Sequence, residues 1–358
     1  MRVMTRCLLL ISSAALAGCS QDLQTVPPTK PSFSTGNPLN TGSSEAYTLA
    51  VIGDTPYGAA KLAELPDLIN LMNSDPKVDI VVHLGDIKAG SSSPCTDDYF
   101  AVVKSIYDGI KDPFVYTPGD NEWTDCHQAG KNNGLYTPTE RLAAIRALFF
   151  PVAGQTLGGR KKQVLTQATD PANSAYVENT MWEESHVVFA ALNITGSNND
   201  LASWGSPLPA DAANWPTQAQ EVASRAQANS AWLNQAFATA TSNNAAGVVL
   251  MFQADMWDAT SALSGFDNLV SQIGSLSQAF GKPVLLLMGD SHVFHTDNPY
   301  SINSPATRAL HPSAPIVENV SRVVVEGSAA GRTEYLRLTI DPNKKGPALF
   351  SIEHVPLN

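Results

Sequence analysis

A chain of 358 residues, 43% hydrophobic and 15% charged, carries enough apolar material for a large globular core in one or two domains. The formal net charge of −11 argues against a nucleic-acid partner, since no basic stripe is available to neutralise phosphates. A phosphorylated substrate stays open, because bound cations reverse the sign of a site locally.

The chain starts with a targeting segment. Arg2 and Arg6 precede an apolar stretch, Cys7 to Ala15, which is too short to span a membrane stably. It ends in Leu16-Ala17-Gly18-Cys19, which resembles the lipobox of bacterial lipoproteins. The resemblance implies a signal peptide over 1–18, lipidation of the Cys19 thiol and a lipid anchor in the bacterial cell envelope. Ser20 at the next position points to the outer membrane. An ordinary cleaved signal with an incidental cysteine is the alternative. Residues 19–46 are rich in Pro, Ser, Thr, Asn and Gly and read as a flexible tether. The folded domain is expected over 47–358.

Tyr47–Ile52 reads as a strand, Ala59–Met72 as a helix, Ile80–Leu84 as a strand, Asp97–Ile110 as a helix and Phe114–Tyr116 as a strand. That alternation predicts a parallel sheet. A helix follows over Thr139–Phe149. From 152 to 185 the signals are mixed, with weak strand character at Gln163–Thr166. His186–Leu192 is a clear apolar strand. The stretch 193–216, rich in Gly, Pro, Asn and Trp, is expected to be a long functional loop in which Trp204 and Trp215 either cover a substrate or pack the loop down. A helix is predicted over Gln218–Thr239, a strand over Gly247–Phe252, a helix over Phe266–Phe280 and a strand over Pro283–Met288. Ser321–Glu326, Glu334–Ile340 and Ala348–Ile352 then alternate like antiparallel strands.

Four of these apolar runs end in the same way: Gly53-Asp54, Gly85-Asp86, Gly119-Asp120 and Gly289-Asp290. Ligands gather outside the carboxyl ends of strands in α/β sheets, so four carboxylates are expected in one crevice. Two like charges about 4 Å apart repel by roughly 4 kcal/mol at an effective dielectric near 20. The aspartates are therefore either protonated or holding cations. Oxygen donors with an imidazole suit Mn, Fe, Zn, Mg or Ca, and two divalent ions would offset four carboxylates.

The order and context of these residues resemble the calcineurin-like metallophosphoesterases. Asp54, Gly85-Asp86, Gly119-Asp120-Asn121-Glu122, Gln253 and Gly289-Asp290-Ser291-His292 stand where that family carries its ligand motifs. The resemblance implies an α/β fold with a two-sheet β-sandwich flanked by helices, four layers in all. It also implies a dinuclear centre whose metal-bound hydroxide hydrolyses phosphate esters, the ions being about 3.5–4 Å apart. Carried over by position, Asp54 and His292 bind one ion, Asp120, Gln253 and Asp290 the other, and Asp86 bridges them.

Several positions depart from the family pattern. Pro56 replaces the histidine of the first motif, and Tyr57 and His295 are the two candidate substitutes, neither at a family position. Asn121 replaces the imidazole of the third motif. An amide orients a phosphoryl oxygen but cannot act as a general acid. From spacing alone, Lys88 could add positive charge or be a solvated loop lysine, and His295 is a candidate acid. Glu122 is expected to support a ligand rather than bind an ion. Asp255 is either such a support or a helix cap, and His83 a satisfied core imidazole. Cys95 and Cys126 suggest a disulfide in an exported protein, with zinc ligation as the rival. A metal-stabilised surface or binding lipoprotein without catalysis is the alternative to the hydrolase.

Overall fold

The computed structural model describes residues 44–128 and 135–357. The expected signal peptide 1–18, the expected lipidation site Cys19 and the expected tether up to residue 43 lie outside the described residues. Among the described residues, no helix is long and apolar enough to cross a membrane.

The first half alternates as its sequence pattern predicts. Strand β1 (Tyr47–Ile52) leads through α1 (Gly58–Ser74) to β2 (Ile80–His83), then through α2 (Asp97–Tyr107) to β3 (Phe114–Tyr116). The three strands pair in parallel. Helix α2 starts where the Thr96 side chain accepts the Tyr99 N–H, with Asp97 and Asp98 in the first turn complementing the helix dipole. Helix α3 (Pro138–Phe149) follows, then β4 (Leu165–Thr166), β5 (Thr180–Glu184) and β6 (Val187–Ala191). The short turn α4 (Gly196–Asp200) precedes α5 (Gln218–Ser242), whose first residues are held by a capping box between Thr217 and Gln220. The remaining elements are β7 (Gly247–Met251), α6 (Asp267–Phe280), β8 (Val284–Met288), β9 (His295–Asp297), the single turn α7 (Pro305–Arg308), β10 (Val320–Val324), β11 (Glu334–Ile340) and β12 (Phe350–Pro356).

The strands form two sheets, in the orders β12-β11-β1-β2-β3 and β4-β5-β6-β7-β8-β10-β9. Side chains alternate faces along each strand, and three cores result. Leu49, Val51, Val82 and Leu336 of the first sheet meet Phe189, Val249, Met251 and Leu287 of the second. Ala50, Ile52, Val81 and Tyr116 face the other way, onto Leu68, Phe100, Val103 and Ile145 of α1, α2 and α3. Val188, Leu250 and Leu286 face Trp232, Phe237, Val270 and Ile273 of α5 and α6. The layers are helix, sheet, sheet, helix, as the fold expectation states.

The C-terminal trio needs correcting. Its first member, β10, lies in the second sheet between β8, to which it is parallel, and β9, to which it is antiparallel, whereas in the first sheet β11 pairs antiparallel with β1 and β12 antiparallel with β11. Alternating apolar residues specify a buried face but not the direction of a partner. Strand β5 lies in the region of mixed signals. Its Glu183 is buried and accepts the Asn243 side-chain amide at 2.6 Å, so a charged residue hides an inward position.

Candidate metal centre

The carboxyl ends of β1, β2 and β3 in one sheet, and of β7 and β8 in the other, open on the same place. Three of the four Gly-Asp turns take unusual backbone there, and so does His292. Asp54 has φ 50°, Asp86 φ 61°, Asp290 φ 71° and His292 φ 64°, all in the left-handed region. Non-glycine residues held there store roughly 1–3 kcal/mol each and cluster at functional sites. Asp tolerates the conformation better than most residues. The glycines permit close approach. A Cβ on Gly119 would lie 2.1 Å from Asp86 Oδ1, and one on Gly289 would lie 2.2 Å from Asp54 Oδ2.

The result is two groups of metal-type donors that share one residue. Asp54, Asp86 and His292 form the first, and Asp86, Asp120 and Asp290 the second, with donor atoms in each within 4.8 Å of one another. Burial, followed by the charge of Asp290, raises Asp54 well above the usual carboxylate range. Asp86 is raised by burial and then by Asp120, Glu122, Asp54 and Asp290. Asp290 is raised by burial, Asp120 and Asp255. Burial and Asp125 push Asp120 up to about 7. The two groups together hold more negative charge than the interior tolerates. An oxygen-rich set with one imidazole fits hard divalent ions, and binding them would remove the repulsion.

The surrounding residues hold these carboxylates in place. Glu122 belongs to neither group; its Oε1 accepts the N–H of Asp86 at 3.1 Å, the N–H of Gly119 at 2.6 Å and the Tyr116 hydroxyl at 2.6 Å. The backbone N–H of Asp290 donates to Asp54 Oδ1 at 3.0 Å. Asp255 donates its N–H to Asp290 Oδ2 at 3.3 Å and accepts the Ser291 hydroxyl and the Arg322 guanidinium at 2.9 and 2.8 Å. The buried Lys88 amine donates to the Asn121 carbonyl at 2.9 Å, and burial lowers it to about 8. His83 is buried between the Thr55 carbonyl and the Gly85 N–H, and is lowered by burial to about 4.

A family model described as calcineurin-like phosphoesterase matches residues 47–230, more than half of the chain. The chain belongs to that family. The matched stretch contains Asp54, Asp86, Asp120 and Asn121, while Gln253, Asp290 and His292 follow it and reach the centre from β7 and β8. A comparison with curated proteins finds no match. A solved structure titled "GAP50 the anchor in the inner membrane complex of Plasmodium" aligns over 87% of this chain and 89% of its own, at 10% identity and a TM-score of 0.46.

Two expected site residues of this family member stand differently from their sequence reading. Gln253 is at the centre, but its carbonyl oxygen accepts the Gly196 N–H at 2.5 Å. Its amide nitrogen faces Asp86 Oδ2 and Asp120 Oδ1, each at 3.3 Å, so it donates to the carboxylates in place of offering an oxygen. His295 is half exposed on β9, bonded to Arg322 at 2.9 Å and 3.2 Å from Asp297. Its link to the carboxylates runs through Arg322 and Asp255.

Tyr57, one of the two substitutes considered for the first motif's histidine, reaches the centre, and so does the turn α4 within the loop expected to be functional. The Tyr57 hydroxyl lies 2.8 Å from Asp86 Oδ2, 3.0 Å from Asn121 Nδ2, 3.2 Å from His292 Nε2 and 3.3 Å from Asp54 Oδ1. In α4, Ser197, Asn198, Asn199 and Asp200 are all left-handed. Ser197 Oγ lies 2.8 Å from Asp120 Oδ2, and Arg225 clamps the Asn199 carbonyl at 3.0 Å. The Ser-Asn-Asn-Asp run, the residue types that best bear this backbone, was the signal available. Two cavities flank the shared Asp86. One of about 350 Å³ is lined by Tyr57, Gly90, Asn121 and His292, and one of about 280 Å³ by Asp120, Ser197, Phe266 and Asp290. A larger one, about 570 Å³ with Arg146, Tyr176 and Trp215 in its wall, contains none of these carboxylates.

Proposed function

We propose that the chain is a metal-dependent hydrolase of phosphate esters that works with two divalent ions. The observation that carries this reading is the pair of donor groups joined through Asp86. Asp54, Asp86 and His292 would hold one ion and Asp86, Asp120 and Asp290 the other. Bound there, the ions would supply Lewis-acid polarisation of a phosphoryl group and a nucleophile at neutral pH.

The chain's own residues do the rest. Glu122 and the Gly119 turn hold Asp86 at the junction of the two groups. Gln253 bridges Asp86 and Asp120 from β7, and Ser197 braces Asp120 from the opposite side. Asn121 borders the 350 Å³ cavity, and its side-chain amide donates to Asp86 Oδ2 at 2.6 Å, holding the shared carboxylate from the cavity side. The proposed setting is outside the cytoplasmic membrane, by the lipid anchor at Cys19. The Cys95–Cys126 disulfide supports an oxidising compartment.

The test is turnover of an aryl phosphate monoester and the corresponding diester by the metal-reconstituted chain, beside Asp86→Asn. Hydrolysis of either, lost with Asp86→Asn, is the expected result. Two bound ions without turnover of either ester would leave a metal-stabilised binding protein.

A further inference from the structure

Resting on the two-ion reading above, we propose that the phenolic oxygen of Tyr57 is a ligand of the ion held by Asp54, Asp86 and His292. The hydroxyl stands at hydrogen-bond distance from one donor atom of every member of that group: Asp86 Oδ2 at 2.8 Å, His292 Nε2 at 3.2 Å and Asp54 Oδ1 at 3.3 Å. A hydroxyl has one proton to give. Two carboxylates and an imidazole nitrogen that must be unprotonated to bind a metal cannot all be satisfied by it. A cation among the four atoms satisfies them together. The fourth neighbour, the Asn121 amide, donates to the same oxygen at 3.0 Å.

The ring is held for this role. It packs edge-on against His292, with centroids 5.2 Å apart and planes at 87°, and the Tyr57 N–H donates to Ser328 Oγ at 3.3 Å. Pro56 beside it offers no donor atom, and His295, the other substitute considered from the sequence, is engaged with Arg322. A phenolic oxygen is a harder donor than an imidazole. The first site therefore favours hard, oxygen-loving divalent ions over softer ones, and Fe(III) serves as a spectroscopic probe of its donors. The proton leaves to solvent when the ion binds.

The experiment uses the full chain, stripped of metal and loaded with Fe(III), with Mn(II) binding measured in parallel by calorimetry. Phenolate-to-iron charge transfer gives a visible absorption band with tyrosine ring modes in its resonance Raman spectrum. The expected result is such a band in the wild type and none in Tyr57→Phe, which also binds the first Mn(II) at least about tenfold more weakly and the second unchanged. Tyr57→His, which restores an imidazole donor, should bind two ions without the band; it keeps the test decisive if the Phe variant folds poorly. Iron bound by the wild type without a band, or a band kept in both variants, overturns the ligand assignment and leaves the two-ion reading standing. A wild type that binds no ion of any kind overturns that reading, and this inference with it.

Discussion

Asp86 and Asn121 are joined twice: the Asn121 N–H donates to Asp86 Oδ1 at 3.1 Å, and its side-chain amide donates to Oδ2 at 2.6 Å. The residue in the position of the family's imidazole thus grips the carboxylate shared by both donor groups. Asn121→Ala removes the side-chain half of that grip. It is expected to weaken binding of both ions, or turnover, by about 10- to 100-fold, the usual effect of losing a partner of a metal ligand. Mn(II) titration of the variant by calorimetry checks this. Unchanged affinity and turnover would show that the amide does not position Asp86.

Gly119→Ala tests the close approach beneath the same carboxylate. A Cβ there would lie 2.1 Å from Asp86 Oδ1 and 2.4 Å from Asp86 N, and neither the ligand nor its backbone has room to yield. Overpacking of this kind costs about 1–3 kcal/mol. The folded variant should hold fewer ions than the wild type. Metal analysis after gel filtration, beside a denaturant titration, separates the loss of ligand geometry from the loss of fold.

The Cys95–Cys126 bridge closes a loop with a sequence separation of 31 that contains β3 and the Asp120–Glu122 turn. Both sulfurs lie within 3.8 Å of the Asn121 carbonyl oxygen, so the bridge backs the turn carrying Asp120 and Asn121. Loop-closure entropy predicts a loss of about 3–4 kcal/mol on removing it. The Cys95→Ser, Cys126→Ser double variant should unfold at correspondingly lower denaturant. Metal affinity should fall with it if the turn loosens first.

The centre was legible as far as it rests on local backbone. An apolar run that stops at Gly-Asp specifies a strand end and a carboxylate, and Asp54, Asp86, Asp120 and Asp290 meet accordingly. Spacing could not tell Tyr57 from His295. Which of two nearby side chains turns inward depends on pairing, and His295 is drawn into β9 by Arg322 and Asp297. Gln253 was placed correctly in space. The Gly196 N–H that claims its carbonyl comes from a left-handed turn for which hydrophobic periodicity has no signature. The direction of β10 was hidden for a similar reason: apolar alternation looks the same in parallel and antiparallel ladders.

That left-handed turn also carries a pH dependence of its own. Asp200, at its end, is buried, accepts the Trp204 indole N–H at 2.7 Å and has Glu221 close by. Burial, with Glu221 adding to it, pushes its carboxyl from 3.8 up to about 8. Between those values the folded chain keeps a proton that the unfolded chain has lost, so this residue's contribution to stability falls as pH rises through the window. Asp200→Asn keeps the acceptor for Trp204 and removes the titration. The stability of the variant relative to the wild type, from denaturant unfolding across a pH series, should climb from about pH 4 to about pH 8 and then level off. A difference that stays constant over that range would mean Asp200 is ionised in the folded chain and contributes no pH dependence there.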